Sequence, residues 1–298
     1  MKNAFFIVGP TAVGKSELAA EVARACGGEI VSADAFQVYC GLDLLTAKPE
    51  AAVLRAVPHH LIGCVPLDEE MNAERFRAAA VRAIGQIHSR GKPAFVVGGS
   101  GMYVKAITHG LSPLPPADPH LRQELEQQTA AELNARLAEL DPVTAEAIDR
   151  NNKHRVLRAV EICLLTGRPA SELRRLPVTD ASAGVLVLRD RAELYQRIDE
   201  RVAMMFRSGV IDEVRTAGPT SSTAVKTLGL SQIQELIAGR ISEAECIAQI
   251  QQATRRYAKR QLTWFQRQTN FEPLNLSSEG WPKAIECITR KARLSFAP

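Results

Sequence analysis

The stretch Gly9-Pro10-Thr11-Ala12-Val13-Gly14-Lys15-Ser16 has the pattern G-x-x-x-x-G-K-S, and it constrains this chain more than any other feature. Gly9 and Gly14 let the backbone curl so that successive N–H groups point inward at an anion. Five apolar residues, Ala4–Val8, run straight into the loop. Leu18, Ala19, Val22, Ala23 and Cys26 follow it at helical spacing. A phosphate-binding loop between a buried strand and a helix predicts an α/β fold whose ligands bind at the carboxyl ends of the strands. Lys15 is then the cation that neutralises phosphate charge, with the positive end of the helix dipole beside it. Ser16 stands where a hydroxyl ligates a phosphate-bound Mg²⁺.

The same pattern of strands and helices continues downstream. Glu29–Ser32 reads as a second strand ending near Asp34, after Gly27-Gly28 has stopped the first helix. Asn72 is a good N-cap for a helix reaching Arg90, with Phe76, Ala80, Ala83, Ile84 and Ile87 as its inner stripe and Gly91 as its stop. Ala94–Val97 is a third strand, followed by Gly98-Gly99-Ser100-Gly101. Strands separated by helical segments indicate a parallel sheet, so the glycine loop, Asp34 and the Gly98–Gly101 turn are expected at one cleft. Pro113, Pro115, Pro116 and Pro119 then interrupt regular structure and open a mainly helical insertion reaching about residue 180. Gly184–Leu188 returns to strand character, and Ser242 with Glu245 forms a capping box for a long helix running to about Gln268.

Composition excludes several classes. No apolar run approaches the roughly 20 residues that cross a bilayer. Six scattered cysteines without a C-x-x-C pair argue against a disulfide framework or a zinc site, and for thiols in a reducing cytoplasm. The net charge of +4 is unevenly spread. Residues 150–175 hold seven basic and two acidic residues, and residues 246–271 hold five basic residues and no acid. Such segregation presents a basic surface to a polyanion or reflects two solvated helix faces. In the second segment Arg255, Arg256, Lys259 and Arg260 are interleaved with Tyr257, Trp264 and Phe265. Basic groups with aromatics are an RNA-binding combination, although aromatics on a helix also fill cores.

The loop does not by itself name its ligand. A nucleotide-hydrolysing machine carries a second strand ending in a Mg²⁺-ordering Asp. Here Ala94–Val97 ends in glycines, and Asp34 ends a different strand. That carboxylate suits a general base or a metal ligand acting on an acceptor substrate. A small P-loop kinase and a non-catalytic RNA-binding protein remain open on these residues.

Several stretches, taken in order, resemble the tRNA dimethylallyltransferases. They are Gly9–Ser16, Ser32–Tyr39 (SADAFQVY), Leu44–Pro49 (LLTAKP), Gly98–Ile107 (GGSGMYVKAI), Leu111–Pro119 with Arg122, Arg155–Glu161 (RVLRAVE), Thr166–Ser171 (TGRPAS) and Thr254–Phe265 (TRRYAKRQLTWF). The resemblance implies a P-loop NTPase-like parallel sheet flanked by helices with a mainly helical insertion domain. The catalytic core would be residues 1–112 and 183–298, and residues 113–182 would bind the anticodon stem-loop. It implies transfer of a dimethylallyl group from dimethylallyl diphosphate to N6 of the adenosine 3′-adjacent to the anticodon, with Mg²⁺. In that frame Gly9, Pro10, Thr11, Ala12, Val13, Gly14, Lys15 and Ser16 hold the diphosphate, and Ser16 ligates the metal. Asp34 is the base that takes the N6 proton, with Thr11 and Arg201 beside the leaving diphosphate. Asp34, Ala35, Phe36 and Gln37 would contact a flipped-out adenine. Ser100, Arg122, His154, Arg155, Val156, Leu157 and Arg158 would contact tRNA. Ser100 stands where Thr is usual, Ala35 replaces a common Ser, His154 a frequent Gln, and Leu230-Ser231 a Tyr with a basic residue. A cytoplasmic monomer that makes no membrane contact is the expectation.

Overall fold

Strand β1 (Ala4–Val8) lies between β4 (Ala94–Gly98) and β5 (Gly184–Leu188) in a six-stranded sheet. The computed structural model describes residues 4–173 and 182–297. With β2 (Glu29–Ser32), β3 (His59–His60) and β6 (Glu272–Asn275), the order is β3-β2-β4-β1-β5-β6, and every pairing is parallel. The register of β1 on β4 runs from Ala4 opposite Ala94 to Val8 opposite Gly98, so the loops after both strands leave the sheet at the same end.

Both faces are covered, which is why these strands read as unbroken apolar runs. Phe6 and Val8 point to a core shared with Phe76, Ala80 and Ile84 of the Ala73–Ser89 helix and with Phe265. Phe5 and Ile7 point the other way, to Leu18 and Val22 of the Lys15–Cys26 helix and to Ile198 and Ile288. Fully burying one such side chain stabilises the fold by about 1.5–3 kcal/mol. Asn72 caps its helix as expected, accepting from the N–H groups of Glu74 and Arg75 at 3.1 and 2.9 Å. The Ser242–Glu245 capping box is also formed, opening the Glu243–Gln268 helix. The edge strands β3 and β6 were absent from the sequence reading. They are short and partly polar, and Pro273 within β6 suits an edge, where a missing donor costs little.

The chain divides into two compact units, Met1–Thr108 with Asp180–Pro298, and His109–Thr179. The second is helical, packed around Leu125, Leu133, Leu137, Val156 and Val160. Inside it, fully buried Glu161 accepts from the Asp118 N–H at 3.1 Å, from Arg122 at 2.8 Å and from Arg158 at 2.5 Å. Buried Asp141 accepts from the N–H and hydroxyl groups of both Thr144 and Ser171, so Ser171 of the TGRPAS stretch serves the packing of this unit. Among the described residues no helix is long and apolar enough to cross a membrane.

Candidate active site

The glycine loop has the geometry that its sequence requires. Gly14 takes φ 95° and the Lys15–Cys26 helix starts directly after it. Ala12 has φ 64°, a left-handed conformation that costs a non-glycine residue about 1–3 kcal/mol unless its surroundings hold it. Two arginines supply that support. Arg197 donates from Nε to the Ala12 carbonyl at 2.9 Å, and Arg189 from Nε to the Val13 carbonyl at 2.8 Å. With these carbonyls tied back, the loop keeps its N–H side for an anion. Lys15 is buried and donates to the Pro10 carbonyl at 3.3 Å. Burial pushes its ammonium below its ordinary pKa, and the nearby Asp34 carboxylate opposes that shift.

Thr11 and Arg201 meet across the cleft, the guanidinium donating to the Thr11 hydroxyl at 2.7 Å. Burial lowers the Arg201 pKa, while Asp34 and Glu17 favour the charged form. Asp34 sits beyond β2 at the head of a turn, its Oδ1 accepting from the N–H groups of Phe36 and Gln37 at 2.9 and 3.3 Å. Ser100 Oγ accepts from the Ala35 N–H at 2.8 Å, joining this turn to the loop after β4. Gln37 donates to the carbonyls of Thr46 and Ala47, which fixes the Leu44–Pro49 stretch against the same turn.

These residues enclose two adjoining spaces. The first is an open cleft of about 340 Å³ lined by loop residues with Lys15, Ser16, Asp34, Arg197 and Arg201. The second is a narrower pocket whose wall includes Leu45, Val202, Met205, Leu228 and Ile250 with Phe36 and Tyr257. Thr11, Asp34, Thr46 and Arg201 border both. A charged cleft, with Lys15, Arg197 and Arg201 alongside Glu17, Asp34 and Glu200, thus opens beside a pocket with a largely apolar wall, and Asp34 is the carboxylate at the seam. Among the described residues no group of three or more His, Cys, Asp or Glu could hold a metal. Ser16 and Asp34 nevertheless line one cleft, an oxygen donor set that suits Mg²⁺ when phosphate oxygens complete its sphere.

The structure brings the loop, Asp34–Gln37, Ser100 and Arg201 together within the first unit. Of the residues expected to contact tRNA in the second unit, His154 and Arg155 are exposed. Val156 and Leu157 are buried in the helical core, so their side chains are not on the surface. Arg122 and Arg158 are both engaged by Glu161. In the other basic segment Arg255 pairs with Asp199 and lies over the Tyr195 ring, so it is not a bare surface cation. Phe265 is core, and Trp264 packs partly buried against it. Arg174 and Arg175, counted with the basic residues of the insertion, lie outside the described residues. The sequence reading passed over Arg189, Arg197 and Gln261. Gln261 had one visible signal, a polar residue on the buried stripe of its helix that also carries Thr254, Ala258 and Phe265.

Comparison with known proteins agrees with this geometry. The family model described as IPP transferase matches residues 37–268. A tRNA dimethylallyltransferase of Akkermansia muciniphila is 42% identical over 281 residues, covering 94% of this chain and 96% of that protein. Another, of Geobacter sulfurreducens, is 44% identical, covering 88% of each. The crystal structure of the full-length tRNA isopentenylpyrophosphate transferase of Bacillus halodurans superposes with a TM-score of 0.72 at 34% identity, covering 99% of this chain and 98% of that one. A loop built for phosphates, a carboxylate at the mouth of an apolar pocket and near full-length likeness point the same way: the chain belongs to the IPP transferase family of tRNA dimethylallyltransferases.

Proposed function

We propose that this protein transfers a dimethylallyl group from dimethylallyl diphosphate to N6 of the adenosine 3′-adjacent to the anticodon, position 37 of tRNA, releasing diphosphate. The observation that carries the reading is the seam at which Thr11, Asp34 and Arg201 border both the cleft of the glycine loop with Lys15 and the apolar pocket. The donor has matching halves, an anionic diphosphate and a five-carbon hydrocarbon tail. The diphosphate takes the N–H groups of Ala12–Ser16 and the charges of Lys15 and Arg201, and the tail takes the pocket of Leu45, Val202, Met205, Leu228 and Ile250.

The exocyclic amine of adenine is a weak nucleophile because its lone pair is delocalised into the ring. The allylic C–O bond therefore has to break easily, and its electron pair leaves with the diphosphate as the N6–C bond forms. Arg201 and Lys15 are placed to stabilise the charge that develops on the leaving oxygens. The Asp34 carboxylate accepts the N6 proton. Its Oδ1 is anchored by two main-chain N–H groups, so the carboxylate is held for that task at no further ordering cost. The Ser16 hydroxyl would hold Mg²⁺, which would supply further neutralisation of the diphosphate charge.

Adenine reaches this seam only when swung out of the anticodon stack. The Asp34–Gln37 turn, with Ser100 behind it, supports the reading that this base is received there. We assign His154, Arg155, Arg122 and Arg158 of the helical unit to the anticodon stem-loop. The test is purified protein with radiolabelled dimethylallyl diphosphate, Mg²⁺ and unmodified tRNA. Label on N6 with one diphosphate released per transfer is expected. No transfer, combined with ATP turnover on a small acceptor, overturns the reading.

A further inference from the structure

Gln261 is only 5% exposed, one turn beyond Tyr257 on the Glu243–Gln268 helix. Its Oε1 accepts from the Thr11 N–H at 2.8 Å, and its Nε2 donates to the Gly99 carbonyl at 2.9 Å. An N–H on one side and a carbonyl on the other allow one orientation of the amide. The two bonds tie the loop after β1 to the loop after β4. Gly99 has no side chain at the point of approach, and a Cβ there would collide with the Gln261 amide. Ser100, the residue after Gly99, accepts the Ala35 N–H at its Oγ. Hydrogen bonds therefore run from Thr11 through Gln261 to Gly99, and from the adjoining Ser100 to the residue beside Asp34. On its other side Thr11 accepts from Arg201.

An apolar side chain of similar volume would fill this part of the core as well. What the amide adds is register between loops that belong to two different strands. We propose that Gln261 is a positioning residue for prenyl transfer. It holds the Thr11 main chain against the Gly99–Ser100 turn, so that Thr11 with Arg201 on the leaving-group side faces Asp34 on the acceptor side across a fixed gap. The inference rests on the prenyl-transfer reading above.

Gln261→Met keeps the volume and removes both hydrogen bonds, and Gln261→Glu keeps the acceptor and removes the donor. For each, kcat, donor Kd and thermal midpoint are measured with labelled donor and tRNA, alone and combined with Thr11→Ala. The expected result for Gln261→Met is a kcat lower by roughly 10²-fold with donor Kd within about threefold, the signature of misplacement rather than lost binding. In the Thr11→Ala background the same change costs less than about tenfold, because the two residues act in one unit. If Gln261→Met does not fold, Gln261→Glu carries the test, with a loss of at least about tenfold in kcat in a folded enzyme. Full additivity with Thr11→Ala, or near wild-type kcat with only the thermal midpoint lowered, overturns the proposal. A wild-type enzyme that transfers no label overturns the functional reading and this one together. Normal transfer by Gln261→Met overturns this one alone.

Discussion

At Asp34 the turn and the chemistry rest on different properties of one side chain. The turn needs an acceptor for two N–H groups, which an amide oxygen also provides, whereas proton abstraction needs the carboxylate. Asp34→Asn is therefore expected to keep the fold and donor binding while kcat falls roughly 10²–10⁴-fold, measured by single-turnover transfer and equilibrium donor binding. A near-normal rate would remove Asp34 as the base. The glycine loop was legible because its pattern is contiguous and its backbone requirement local. Arg201 came only through family resemblance, since nothing adjacent in sequence marks an arginine that reaches Thr11. Arg189 and Arg197 were hidden for a related reason: their partners are main-chain carbonyls 176 and 185 positions away. Arg122 and Arg158 show what a charge count leaves out. Glu161, one helical turn past Arg158, was counted among the acids of that segment, but only the fold buries it between the Arg158 and Arg122 guanidinium groups.

Among elements, the central strands were readable because a strand buried on both faces has to be apolar throughout. The edge strands carry no such signal. The entry to β2 adds a feature that periodicity could not reveal. Glu29 opens the strand with its side chain 4% exposed, ringed by Arg90, Lys92 and His60. Burial pushes its carboxyl pKa up, but hydrogen bonds from Arg90, His60 and Lys92 outweigh that and bring it to about 2. The folded value lies below the ordinary glutamate value of about 4.3, so the stability it contributes is complete above that pH. It is lost as pH falls from there toward about 2. Glu29→Gln is expected to lower stability by about 2 kcal/mol at neutral pH and to narrow its gap to wild type at pH 3, read by urea unfolding at both pH values. An unchanged gap would show that the ion cluster does not set the acid limb.

For the whole molecule, exposed cations occur in both units, with Arg155 in the helical unit and Arg256 and Lys259 on the long helix of the other. If these meet RNA phosphates, tRNA affinity falls steeply with salt, and Arg155→Ala reduces the log–log slope by about one. A flat dependence measured by filter binding would separate them from the RNA. The seam itself imposes an order on synthesis. Thr11 takes its place against Gln261 across 250 positions of chain. At about 5–20 residues per second, the loop leaves the ribosome roughly 12–50 s before the amide that fixes it. A nascent chain that ends short of that helix therefore carries the phosphate-binding sequence without its working geometry.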